Sequence, residues 1–124
     1  STHHHGIDVA APLNTKVVAV HDGVVKYMAW NGGYGKTIRI EHNLNGQTYT
    51  TQYAHLNKYK KGLKRGDIVM RGEVIGYVGS TGVSTGNHLD FEVRSLHESS
   101  DIDPYLDPVA FFSSDLDIKM SPPR

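Results

Sequence analysis

The chain has 124 residues, carries 13 basic and 13 acidic side chains, and has no cysteine. This length provides one hydrophobic core and therefore one domain. The balanced charge disfavours nucleic-acid binding and a general membrane-surface role, because both need a net basic face. Without cysteine the chain forms no disulfide, no thiolate metal site and no cysteine nucleophile. No apolar run is long enough for a transmembrane helix, so we expect membrane contact only through segments outside this sequence.

A histidine-rich segment opens the chain. Residues 3–5 are all histidine, which is compatible with a remnant of an affinity tag, but the sequence runs on without a linker and favours a native origin. His4 and Asp8 place an imidazole and a carboxylate four residues apart, just before the turn-forming Ala11-Pro12. Both groups are metal ligands, although a histidine near an aspartate is more commonly a surface pair.

Two segments rich in valine and aromatic residues follow at 16–20 and 24–30, with Asp22-Gly23 between them. A short Asp-Gly turn between two such segments predicts a β-hairpin. Residues 31–35 are glycine-rich and suggest either a phosphate-binding loop or a plain turn. The Gly-Lys-Ser/Thr ending of phosphate loops is missing and no helix is expected to follow, so a plain turn is favoured.

The central part of the chain predicts further strands. Residues 37–42 alternate between apolar and polar side chains, and residues 47–55 form a longer segment of β-branched and aromatic residues. Residues 43–46 are expected to turn the chain between these two strands. Alternation along the longer strand places His55 on the same face as Tyr53. Residues 61–82 contain a glycine every few positions around short apolar pairs, which predicts very short strands joined by tight turns.

Five basic residues lie close together at positions 58–65. Such a cluster is typical of a solvated loop that maintains solubility. The alternative is a weak electrostatic patch that steers an anionic polymer towards the domain.

Residues 86–93 are predicted to form a half-buried strand, because polar residues alternate there with apolar ones. A side-chain period of two directs His88 and Asp90 to the same face, close enough to serve one metal site. Together with His4, Asp8 and His55, these residues would supply enough ligands for a catalytic zinc.

The C-terminal part contains two Asp-Pro pairs, at 103–104 and 107–108, that interrupt the strand pattern. Residues 105–112 are expected to form a turn of helix, and residues 113–124 a loosely held tail with little to bury. No segment predicts a helix longer than about two turns. The fold class is therefore all-β, a small antiparallel barrel or sandwich of short strands with at most a short helix near the C-terminus.

Taken together, these motifs resemble the M23 zinc metallopeptidase domains of the LytM or lysostaphin type. The resemblance runs from His4 to about Phe112 and rests on four segments: His-x-x-x-Asp followed by Ala-Ala-Pro, Tyr-Ala-His-Leu at 53–56, the series Gly-Asp-x-Val-x-x-Gly-x-x-Ile-Gly, and Ser-Thr-Gly at 80–82 before His-Leu-x-Phe-Glu-Val. It implies a LytM-type, duplicated hybrid-motif-like domain at 1–112, without the family's usual N-terminal segment, and a tail at 113–124.

The resemblance also implies roles for individual residues. His4 and Asp8 would bind zinc, and His55 and His88 would assist catalysis by activating water and stabilising the oxyanion. The family's final motif is His-x-His, whose second histidine is the third zinc ligand. Asp90 occupies that position here, so the implied ligand set is His4, Asp8 and Asp90.

The function implied is that of a peptidoglycan endopeptidase domain in cell-wall remodelling, located in the bacterial cell envelope outside the cytoplasm. Because of Asp90 we expect zinc to bind weakly or not at all, and the domain to be weak or inactive. It would then act on peptidoglycan peptides beside a homologous M23 protein or a second copy of itself. An active zinc endopeptidase is the alternative. A phosphocarrier of similar shape is disfavoured, because it would have no use for Asp8 and Asp90.

Overall fold

The computed structural model describes the backbone of residues 4–95 and the side chains of residues 6–94. Over this range the chain is all-β, with one 3-10 turn at Gly32–Tyr34 and no α-helix, which confirms the predicted class. The eight strands are β1 (His4–Ala10), β2 (Lys16–Val18), β3 (Gly23–Trp30), β4 (Lys36–Leu44), β5 (Gln47–Tyr59), β6 (Ile68–Val69), β7 (Val74–Val78) and β8 (His88–Ser95).

All strand pairs are antiparallel, and six strands follow one another in the order β1-β8-β5-β4-β3-β6. Strand β7 branches from this path, because it pairs with both β5 and β2. The sheet is therefore open and branched rather than a closed barrel. The helical turn predicted at 105–112, the domain boundary at 112 and the tail at 113–124 lie outside the described residues.

The hairpin predicted across Asp22-Gly23 is wrong. Strand β2 pairs with β7, whereas β3 pairs with β4 and β6. The chain between them passes through the core, where Ala19 and Val20 are fully buried. The backbone N–H of Ala19 donates to the carbonyl of Glu73 at 2.9 Å, so long-range pairing replaces the local hairpin.

The turn between β4 and β5 agrees with the prediction. Asn45 has φ of 54° and Gly46 has φ of 80°, the left-handed pair that a tight Asn-Gly hairpin requires. This hairpin sets the two longest strands side by side, in a register that pairs His42 with Tyr49.

The core lies beneath β4, β5, β7 and β8. In β8 the side chains of Leu89, Phe91 and Val93 are buried, so the alternating residues His88 and Asp90 face the other side of the sheet. This confirms the predicted alternation. Within the described range, no helix is long and apolar enough to cross a membrane.

Candidate metal and catalytic site

Strands β1 and β8 bring two of the predicted ligands together. Their antiparallel register pairs Asp8 with Asp90, and Ala10 with His88. Nε2 of His88 lies 3.8 Å from Oδ1 of Asp8. Asp8 is largely exposed, whereas the Asp90 side chain is only 16% exposed, so Asp90 is the more deeply placed of the two carboxylates.

His55 reaches the same place by leaving regular strand geometry. It has a positive φ of 61°, and the β4–β5 register shifts between Tyr53 and Leu56, so that β5 carries an extra residue. Regular alternation would have kept His55 on the core face with Tyr53, so that prediction is wrong. The bulge turns the side chain, and Nε2 of His55 lies 3.9 Å from Oδ2 of Asp90.

Both histidines are held in the same way. Nδ1 of His55 lies 2.7 Å from the carbonyl oxygen of Thr81, and Nδ1 of His88 lies 2.9 Å from that of Gly86. A carbonyl only accepts hydrogen bonds, so each Nδ1 carries a proton, and Nε2 is the ring nitrogen that has the lone pair in the neutral form. The two rings are neighbours, with centroids 4.7 Å apart.

The four acceptor groups that meet here suit a cation. Each Nε2 lone pair faces a carboxylate at 3.8 or 3.9 Å, which is too long for a hydrogen bond. Imidazole nitrogens and carboxylate oxygens are ligands that zinc prefers, and a Nδ1–H bonded to a carbonyl is the usual way to orient a metal-binding histidine. The side chains of Asp8, Asp90, His55 and His88 are therefore of the chemical types that bind zinc.

His4 is the remaining predicted ligand. Its backbone pairs with Arg94, and its side chain lies outside the described residues. In a regular strand the Cα atoms of His4 and Asp8 lie about 13 Å apart, so ligation of one ion by both requires each side chain to extend towards the other. Among residues with described side chains, no three histidines or carboxylates form a group that could hold a metal ion. The ligand and catalytic roles thus remain predictions.

Two loops fix the carbonyl that orients His55. Oγ1 of Thr81 donates to the carbonyl of Leu56 at 2.6 Å and accepts from the N–H of Lys36 at 3.1 Å. The N–H of Val83 donates to the carbonyl of Gly33 at 2.8 Å. The glycine-rich segment 31–35 therefore buttresses the loop after β7, and the two together form a rim of the site.

Tyr34 was missed by the sequence interpretation. Its ring centroid lies 6.3 Å from that of His55, and its hydroxyl hydrogen-bonds with the side chain of Glu92. Burial and the contact with Glu92 raise the pKa of Tyr34. A cavity of about 270 Å³ is lined by Gly33, Tyr34, His55 and Val83. The sequence feature that could have identified Tyr34 is that it is the one large side chain among the glycines of segment 31–35.

The environment of Asp90 disfavours its negative charge. Burial is the main cause, followed by the carboxylates of Glu92 and Asp8, and together they raise the pKa of Asp90 to about 6 despite the opposing effect of His55 and His88. A cation beside Asp90 would oppose these effects and favour the charged form of its carboxyl group.

This shift predicts a pH-dependent effect of Asp90→Asn in metal-free protein. Near pH 4 Asp90 is protonated in the folded state and contributes little to the pH dependence of stability. Between pH 4 and pH 6 this carboxyl group ionises more readily in the unfolded chain than in the folded domain, so the free energy of unfolding falls as pH rises. Discounted for partial solvation, the loss is about 1 kcal/mol above pH 6. With chelator present, the melting temperature of Asp90→Asn should therefore exceed that of the parent by about 4–8 °C at pH 8. A difference that is the same at pH 4 and pH 8 would contradict the assignment.

Comparison with known proteins supports a family assignment. Residues 2–104 match Peptidase family M23. The chain is similar to the DD-carboxypeptidase/endopeptidase Mpg of Neisseria meningitidis serogroup B, with 50% identity over 91 residues, covering 73% of this chain and 20% of that protein. It is 38% identical over 98 residues to the peptidoglycan DD-endopeptidase ShyC of Vibrio cholerae, covering 77% of this chain and 22% of that protein.

The fold is likewise similar to a solved catalytic domain. The catalytic domain of lysostaphin from Staphylococcus simulans superposes with a TM-score of 0.70 at 35% identity, covering 87% of this chain and 77% of that domain. The chain spans only about a fifth of the length of the curated relatives it matches. The family match covers most of the sequence, and this chain therefore belongs to Peptidase family M23.

Proposed function

We propose that this chain is an M23-type peptidoglycan endopeptidase domain of the bacterial cell envelope whose zinc site is weakened by Asp90. We further propose that it acts with an intact M23 partner or a second copy of itself. The observation that carries the proposal is the pairing of Asp90 with Asp8 across β1 and β8. Nε2 of His55 faces the carboxylate of Asp90, and Nε2 of His88 faces that of Asp8.

The substrate class comes from the relatives. The relative in Vibrio cholerae is a peptidoglycan DD-endopeptidase, and Mpg is a DD-carboxypeptidase/endopeptidase. Peptidoglycan peptides lie outside the cytoplasm, so the proposed substrate implies the proposed location.

The weakening follows from charge and reach. Zinc, when bound by His4, Asp8 and Asp90, would activate a water molecule and polarise the scissile carbonyl. Two carboxylates cancel the charge of the dication, whereas one carboxylate and two imidazoles leave a net positive charge. The carboxylate of Asp90 also extends less far from the strand than an imidazole ligating through Nε2.

The histidines supply the proton chemistry. Nε2 of His55 and Nε2 of His88 are both free to accept a proton from an attacking water, because their protons reside on Nδ1. Once protonated, His55 would be stabilised by Asp90 and His88 by Asp8. Tyr34 lies beside His55, and the hydrogen bond of its hydroxyl with Glu92 holds its ring at the edge of the site.

This same arrangement favours the second candidate function, an active zinc endopeptidase that cleaves peptidoglycan crosslinks. The two oriented histidines are a catalytic feature that a purely structural domain does not need. The two candidates differ in one property, the turnover of the domain by itself.

Digestion of purified crosslinked muropeptides tests the proposal. With added zinc the isolated domain should release little or no product. Addition of a catalytically intact M23 relative should give more product than the relative produces by itself. Rapid zinc-dependent cleavage by the isolated domain would establish the active alternative instead, and absence of any effect on the relative would refute the partnership.

A further inference from the structure

Arg39 is held in a fixed position on the same sheet as the candidate site. Its Nε donates to Oε1 of Gln52 at 2.7 Å, and its guanidinium carbon lies 4.9 Å from the centre of the Tyr27 ring. The hydroxyl of Tyr27 donates to the carbonyl of Trp30 at 3.0 Å, which fixes the ring in turn. The guanidinium group of the partly exposed Arg39 is thus held at its Nε edge by Gln52 and on its flat face by Tyr27.

The anchoring leaves one edge of Arg39 available. The contact with Gln52 uses Nε and the contact with Tyr27 uses the flat face, so the Nη edge takes part in neither. Gln52 is fully buried, and among the described residues its Nε2 finds no hydrogen-bond partner. Leaving this buried N–H donor unpaired costs free energy of folding. We infer that the Gln52 side chain is oriented by its other amide atom, the oxygen that accepts from Arg39.

A second positive charge lies near Arg39. Arg94 lies close enough that, after burial, its charge is the next cause of the lowered pKa of Arg39. Glu92 lies beside this pair and accepts from Arg94 at 3.2 Å. Glu92 pairs with Arg94 and not with Arg39, so among these three groups one positive charge is in excess. An anchored guanidinium fork with excess positive charge suits bidentate recognition of a carboxylate.

The strand register relates Arg39 to the catalytic residues. Arg39 pairs with Gln52, and Gln52 pairs with Glu92, two positions along β8 from Asp90. The Cα atoms of Arg39 and Asp90 are therefore about 12 Å apart, since they are separated by two strand spacings across the sheet and by two residues along β8. If an extended peptide binds with its scissile bond at His55 and Asp90, the peptide residue that meets the Nη edge of Arg39 lies about two to three residues from that bond.

We propose that Arg39, positioned by Gln52 and Tyr27, binds a free carboxylate of the peptide substrate two to three residues from the scissile bond. Arg39 is then a specificity-determining residue. This inference rests on the proposed function, because it takes the substrate to be a peptidoglycan peptide.

Binding of uncut peptides in the presence of chelator tests the inference without requiring hydrolysis. The probes are a peptidoglycan stem tetrapeptide and the series in which each of its free carboxylates is converted in turn to an amide. One amidation should weaken binding to the unmodified domain by about tenfold or more. Arg39→Gln should weaken binding of the parent peptide by a similar factor and should be insensitive to that same amidation.

Lys58→Gln is the matched control. Lys58 also lies over an aromatic ring, 5.0 Å from the centre of Tyr77, so the variant loses one charge and one ring contact elsewhere. It should keep the full preference for the free carboxylate. The inference is overturned if no amidation changes affinity more than twofold, if no peptide binds, or if Arg39→Gln keeps the preference. Because the unmodified domain alone reveals the preference, the first two outcomes are decisive even if a variant does not fold.

Failure of the inference and failure of the proposed function leave different patterns. Absence of a carboxylate preference in a domain that still increases product release by an intact relative counts against Arg39 alone. Carboxylate-dependent binding by a domain that does not increase product release by an intact relative counts against the proposed function alone.

Discussion

Asp90→His should bind zinc about 10- to 100-fold more tightly than the parent domain, the range in which changes around a metal typically alter affinity. The substitution adds a nitrogen donor and removes a negative charge, on a strand that already faces Asp8. It should also gain peptidase activity, because a more positive metal lowers the pKa of its water and both histidines are already oriented. Zinc titration and muropeptide cleavage of the two proteins, compared side by side, measure both effects.

Asp67→His is a suitable control for Asp90→His. It makes the same chemical change at a turn where Asp67 contacts Lys64, away from the candidate site. It should leave zinc affinity unchanged. If Asp90→His binds zinc no better than the parent, Asp90 is not the defect in this domain.

Gly35→Ala should destabilise the domain by roughly 2–4 kcal/mol, combining overpacking with a strained backbone. Gly35 has a φ of 66°, and a Cβ there would lie 2.5 Å from the backbone of Thr81. The displaced residue is the one whose carbonyl accepts from Nδ1 of His55. The melting temperature should fall by about 10–20 °C, and His55 should lose its fixed orientation.

Gly32→Ala provides the comparison for Gly35→Ala. Gly32 also has a positive φ, of 51°, but a Cβ there would have no atom within 4 Å. Only the backbone strain should remain, about 1 kcal/mol. Equal melting temperatures for the two variants would show that contact between the two loops does not hold the site in place.

The parts of the site that could be predicted from sequence are those determined by local alternation. His88 and Asp90 face the site because Leu89 and Phe91 are drawn into the core, and burial of apolar side chains is visible in a period of two. The all-β class followed from the same signal. The Asn45-Gly46 turn was predictable because its backbone angles need those residue types.

The parts that could not be predicted depend on distant contacts. The positive φ of His55 is maintained by the carbonyl of Thr81, a residue 26 positions later, and no pattern in β5 announces the bulge. The expected hairpin at Asp22-Gly23 failed because burial of Ala19 and Val20 overrides the local turn preference. Tyr34 acquires its place at the site only when segment 31–35 packs against the loop after β7.

The metal content of the domain, purified without added zinc and measured by mass spectrometry, tests the weakened site most directly. If Asp90 weakens the site as proposed, the protein should carry far less than one zinc per chain, and Asp90→His prepared in the same way should carry close to one. Full occupancy of the unmodified domain, together with zinc-dependent hydrolysis of muropeptides, would contradict the account.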